Sequence, residues 1–134
     1  MTISPRLASL AVVVCLSASS ARAEDCPADS TMMDDVLVAL KEAADCDRAM
    51  KVFEACEYGT SGDIQFGAAV EKKCERDFLF RLAEPQKHLY QREMTACERK
   101  YRNKEGTMYR SFTAFCRAEV ARRYWRRARK TATP

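Results

Sequence analysis

The sequence predicts an all-α fold, a small disulfide-stapled helical bundle of about five helices. Three observations lead there. Apolar residues recur at steps of three and four along five successive segments, and no stretch alternates apolar with polar residues as a half-buried strand does. Only four glycines occur in 134 residues, which leaves little material for tight β-turns or phosphate-cradling loops. Six of the seven cysteines fall after residue 23, an even number that suits the stapling of a short exported domain.

The segment 1–23 reads as a secretory signal peptide. Arg6 supplies a positive start, Leu7 to Leu16 is apolar, and Ala21-Arg22-Ala23 has the A-x-A pattern of a cleavage site. The apolar run is about ten residues, half of the roughly 20 that a membrane-spanning helix needs. Cys15 follows Val14, whereas a lipidated cysteine normally follows a small residue. The organisation expected is therefore a signal peptide at 1–23, one helical disulfide-bonded domain at 24–130 and a flexible tail at 131–134. The expected location is periplasmic or secreted, with no transmembrane segment after signal removal.

Within the domain, Ser30 and Thr31 are placed to cap a first helix. Asp34 and Asp35 then suit the dipole of its opening turn, and Met33, Val36, Leu37 and Leu40 share a face. Asp45 or Asp47 caps a second helix carrying Met50, Phe53 and Cys56 or Glu57, and Gly59 stops it. Asp63 caps a third, with Ile64, Gly67, Val70 or Glu71, Cys74, Phe78 and Leu82 along one stripe. Pro85 ends that helix and opens a fourth, which presents Leu89 or Tyr90, Met94, Cys97 and Tyr101 and closes at Gly106. Thr107 caps the fifth, whose inward face reads Tyr109, Phe112, Cys116, Val120 and Tyr124.

The cysteines lie on these inward faces, and geometry selects their partners. Cys46 and Cys56 in one helix would stand roughly 15 Å apart at about 1.5 Å per residue, whereas bridged Cα atoms lie within about 7 Å. Folding antiparallel helices about residue 60 sets Cys46 opposite Cys74. Folding the last two helices about Gly106 sets Cys97 opposite Cys116. Cys26 and Cys56 remain as the third pair.

Composition also restricts chemistry. A single histidine, His88, leaves no Ser-His-Asp, Cys-His or multi-His constellation. The long gaps between cysteines lack the close pairs of a zinc site, and the acidic cluster Asp25, Asp29, Asp34, Asp35 lacks the alternation and internal glycine of a calcium loop. No cofactor, no metal and no enzymatic activity are expected.

Charge is segregated along the chain. Residues 24–63 hold 11 acidic and 3 basic side chains, a net of −8, and residues 64–134 hold 8 acidic and 18 basic, a net of +10. The densest run is Arg122, Arg123, Tyr124, Trp125, Arg126, Arg127, Ala128, Arg129, Lys130. Cations interleaved with Tyr and Trp suit an anionic polymer or headgroups, with the rings at an interface. They also suit a helix C-terminus, where the dipole stabilises positive charge. Nucleic acid is not expected as the partner of an exported chain.

Gln86-Lys87, then Cys97, Gly106-Thr107-Met108, Cys116 and an Arg-bearing helix together resemble the LprI-type lysozyme-inhibitor-like domain, over about residues 86–124. Leu89 and Ala121 stand where that family has Trp and Thr, so no single inhibitory residue is carried across. The resemblance implies a small exported bacterial helical module that binds a protein partner, lysozyme. Two functions are thus expected of a monomer. One is recognition of a protein partner, with a cationic lysozyme as the candidate that the acidic half would attract. The other is attachment to an anionic envelope component through Arg122, Arg123, Trp125, Arg126, Arg127, Arg129 and Lys130.

Overall fold

The computed structural model describes residues 25–132; the expected signal peptide lies outside the described residues. Five α-helices follow one another, α1 (Met33–Glu42), α2 (Cys46–Cys56), α3 (Asp63–Phe78), α4 (Glu84–Tyr101) and α5 (Met108–Ala132), with a 3₁₀ turn, Leu79–Arg81, between α3 and α4. No strand occurs among the described residues. The fold is the expected disulfide-stapled all-α bundle. Among the described residues no helix is long and apolar enough to cross a membrane.

The local signals account for most boundaries. Asp45 caps α2, its carboxylate accepting the Arg48 N–H at 2.9 Å. Pro85 sits in the first turn of α4, where Gln86 Oε1 accepts the Ala83 N–H at 3.1 Å. Gly106 adopts φ +104° between α4 and α5, a conformation in which a side chain would be strained.

Four details differ from expectation. The first helix begins after Met32, and Ser30 is used upstream, accepting the Met32 N–H and donating to Asp35. Asp63 is already inside α3. Its carboxylate turns back to accept the N–H groups of Tyr58 and Gly59, both at 2.8 Å, and the Ser111 hydroxyl at 2.6 Å. Asp63 is completely buried, and these three donors together with the positive end of α3 compensate its charge. The third helix stops at Phe78, well before Pro85, and the 3₁₀ turn follows, with Phe78 buried and Phe80 exposed. Finally, α5 continues through Thr131 and Ala132, the first half of the expected tail, and Thr131 Oγ1 donates to the carbonyl of Ala128.

The sulfurs pair Cys26–Cys56, Cys46–Cys74 and Cys97–Cys116, with Cα atoms 4.8, 4.8 and 5.6 Å apart. They tie the segment before α1 to the end of α2, α2 to α3, and α4 to α5.

At the centre α3 and α5 run side by side in the same direction, α1 packing on α3, α4 on α5, and α2 on both. The α3 side of the seam is Phe66, Gly67, Val70, Cys74 and Phe78. The α5 side is Ser111, Ala114, Ala118, Ala121 and Trp125, a stripe rotated from the expected one. Ile64 and Phe112, both expected inside, are 45% and 41% exposed. Small residues allow the two backbones to approach closely. A Cβ added at Gly67 would stand 2.9 Å from Ala114 Cβ and 3.0 Å from its carbonyl oxygen. Larger rings fill the flanks: Phe53 of α2 stacks on Phe115 at 3.9 Å, and Tyr90 of α4 meets Phe78 at 5.3 Å and Tyr124 at 4.9 Å, both edge-on.

Gly67→Ala separates two opposing effects. Alanine favours an isolated helix by about 1 kcal/mol, but overpacking a tight seam costs about 1–3 kcal/mol. The contact here is with backbone, which cannot swing aside, so the variant should be destabilised. Urea unfolding of the oxidised protein should show a lower midpoint, and a higher one would show that the seam has slack.

Candidate functional site

Two cationic surfaces are available as sites. The first is the α5 run from Arg122 to Lys130. Arg122 pairs with Glu119 at 2.6 Å and Glu54 at 3.5 Å, and Arg123 with Glu93 at 2.5 Å. Arg126 pairs with Asp47 at 2.7 Å and Arg129 with Asp45 at 3.7 Å. Arg127 lies over the Tyr124 ring at 5.3 Å and Arg129 over the Trp125 ring at 4.7 Å. Lys130 is exposed. The acidic residues of α2 therefore answer the basic residues of α5 within the molecule, and the charge segregation of the sequence becomes internal complementarity. Exposed pairs of this kind contribute roughly 0–1 kcal/mol each, but they occupy the cations.

Trp125 is not at an interface. It is 3% exposed, and its indole N–H donates to Asp77 Oδ2 at 2.9 Å. Tyr124 is buried as well, donating to Glu93 Oε1 at 2.8 Å. The expected anionic-ligand role placed both rings outward between arginines, although the inward face expected of the fifth helix already included Tyr124, which is buried as that face requires. The helical period instead puts Trp125 on the Ala114, Ala118, Ala121 stripe, where it closes the end of the seam.

The second surface is an open groove of about 1000 Å³ between α1 and α4, floored by α3 and the 3₁₀ turn. Ala69, Lys72, Lys73 and Arg76 of α3 line it, spaced as one stripe beside the buried one. Leu37 and Lys41 come from α1, Leu79 and Phe80 from the turn, and Lys87 and Gln91 from α4. Most of the lining surface is apolar, and Phe80 is 71% exposed.

The polar groups of the groove have distinct roles. Lys73 is structural: its ammonium donates to the carbonyls of Lys41, at 2.8 Å, and Ala43, closing the C-terminal end of α1. Burial, with Arg76 nearby, pushes that ammonium below the usual lysine range. Glu75, the one acid in the lining, accepts the Tyr90 hydroxyl at 2.7 Å. Burial, then that bond, hold the Tyr90 phenol far above the usual tyrosine range, so it stays a donor. Lys87 pairs with exposed Glu84 at 2.8 Å, and Arg76 lies 3.7 Å from its neighbour Asp77. Lys41 and Lys72 are exposed. The groove thus presents an apolar floor and a cationic rim, in which Arg76 and Lys87 have acidic neighbours on their own helices and Lys41 and Lys72 stand exposed.

Sequence reasoning did not find this groove, because four separate elements build it. The available signal was local: Lys72, Lys73 and Arg76 share a stripe on the third helix, and Phe78-Leu79-Phe80 holds one more apolar side chain than a helix face can bury.

His88 is exposed on α4, and no group of three or more His, Cys, Asp or Glu side chains poised for a metal occurs among the described residues. Comparison with protein-family models, curated proteins and solved structures returns no match.

If Trp125 belongs to the core, Trp125→Ala should cost about 3–5 kcal/mol, and Arg127→Gln two residues on should change stability by less than about 0.5 kcal/mol. Denaturant unfolding of both variants checks this, and a near-neutral Trp125→Ala would return the residue to the surface. Truncation before Arg122 would likewise remove core, so the α5 cations are best tested by charge changes alone.

Proposed function

We propose that this chain is an exported small helical binding protein that acts by holding an anionic envelope component rather than by catalysis. The observation that carries the reading is the α1/α3/α4 groove, where Lys41, Lys72, Arg76 and Lys87 surround an apolar floor whose single acid is engaged by Tyr90. Attachment through α5 is the lesser form of the same idea, since most of those cations face acidic side chains of α2 and α4.

A second reading, lysozyme inhibition, is supported by one feature. The resembling stretch, residues 86–124, lies within the α4–α5 hairpin, stapled by Cys97–Cys116, and Tyr101, Tyr109 and Phe112 cluster at its tip with ring centroids 5.8–6.1 Å apart. In that reading the tip makes the contact, because Asp45, Asp47 and Glu54 are turned to α5.

The oxidised protein should bind lipopolysaccharide at low salt and release it as ionic strength rises, since exposed charges are screened over about 10 Å at 0.1 M. Lys72→Glu with Arg76→Glu should weaken binding at least about tenfold, roughly 1.4 kcal/mol, while Arg127→Glu with Lys130→Glu should leave it within about twofold. The reverse pattern would assign the ligand to α5. Failure to bind, with cell-wall lysis by lysozyme suppressed by the same preparation, would favour the hairpin reading.

A further inference from the structure

We infer that the groove takes a single-chain anionic amphiphile, such as a fatty acid or a lysophospholipid with an acidic head, as a free monomer. The inference rests on the anionic-ligand reading and names the ligand class of that site. Both halves of the ligand are read from the lining. Leu37, Ala69, Leu79 and Phe80 supply apolar surface, extended by the aliphatic stems of Lys41, Lys72 and Lys87. A lipid-free acidic polymer would leave that surface exposed to water, including a phenylalanine that is 71% accessible. An uncharged hydrocarbon would leave the cationic rim unanswered. An anion with one apolar chain satisfies both.

The size and form of the groove suit a small amphiphile. About 1000 Å³ stands at the upper end of the range for small-molecule sites, roughly 300–1,000 Å³. A bilayer presents a flat or gently curved face, which cannot follow a trough between two helices down to Ala69 on α3. The ends of the trough are also fixed. Lys73 holds the C-terminal end of α1 to α3, and Tyr90 on α4 donates to Glu75 on α3, so both walls are anchored to the floor by charge-assisted bonds.

The test uses the full oxidised protein and the fluorescent fatty acid cis-parinarate below its micellar concentration. One molecule should bind per chain, saturably. Its methyl ester, which keeps the chain and loses the charge, should bind at least about tenfold more weakly, as should cis-parinarate itself to the Lys72→Glu, Arg76→Glu variant; tenfold corresponds to about 1.4 kcal/mol. Phe80→Ser should weaken binding about fivefold, and Arg110→Glu, at the hairpin tip outside the groove, should not change it. The altered side chains at 72, 76 and 80 are exposed, so circular dichroism should show unchanged helicity. Equal binding of acid and ester would overturn both the inference and the anionic reading beneath it. Groove-dependent binding of lipopolysaccharide without binding of cis-parinarate would overturn the inference and leave the reading standing. Binding to phosphatidylglycerol vesicles in place of the monomer would overturn it in favour of a membrane surface.

Discussion

The close, same-direction approach of α3 and α5 is the constraint on which the rest of the molecule depends. Gly67 meets Ala114 with no room for another carbon, and three polar contacts repeat the same offset along the seam. Asp63 binds Ser111, Glu71 binds Arg117 through two parallel bonds of 2.9 and 2.8 Å, and Asp77 binds Trp125, at separations of 48, 46 and 48 residues. In each contact α3 gives the carboxylate and α5 the donor. A shift of one helix by a single turn would break all three at once and leave Asp63 buried without its hydroxyl partner, which is the costly way to lose a hydrogen bond. Register is thereby specified by polar groups and distance by small ones.

Two parallel helices must be joined by a chain that returns along them, and α4 is that return. It packs on α5, while α1 packs on α3, so the two outer helices flank α3 without covering the whole of it. The stripe Ala69, Lys72, Lys73, Arg76 is what remains uncovered, and the groove is the consequence. The arginines of α5 also follow from the seam. Once Trp125 is fixed inward, Arg123 is turned towards α4, and Arg122, Arg126 and Arg129 towards α2, where acidic side chains stand opposite them.

The helices and their order were legible in the sequence because each carries a 3.6-residue apolar period, although Pro85 marked the start of α4 and not the end of α3. The disulfide pairs were legible because helix length forbids the nearest-neighbour pairing of Cys46 with Cys56. The face of α5 was not. Val120 and Tyr124 of the expected stripe are buried, but Tyr109 and Phe112 are not, and the seam is made instead by Ser111, Ala114, Ala118 and Ala121, small residues whose value lies in close approach rather than in apolar area. Trp125 was misplaced for a related reason, since its arginine neighbours say nothing about which way it points. Asp63 looked like a cap because its position is right for one, and its true partners include Ser111, far along the chain. The groove lay beyond sequence reasoning altogether, because Lys41, Lys72, Phe80 and Lys87 become neighbours only when three helices and a turn converge.

The disulfides divide the chain in a way that the helices do not. Cys26–Cys56 and Cys46–Cys74 close two overlapping loops that end at α3, and Cys97–Cys116 closes a separate one. No bridge links the two sets. As a covalent graph, the molecule is a fused pair of rings and a single ring strung on one thread, the main chain between Cys74 and Cys97. A protease that cut this thread would leave two intact, oxidised pieces held together by non-covalent contacts alone, chiefly the α3–α5 seam, with α2 against α5 and Tyr90 against α3 beside it. Cohesion between the halves is therefore a matter of packing and dissociable bonds, in a molecule whose halves are each locked, and the groove straddles the boundary with α1 and α3 on one piece and α4 on the other.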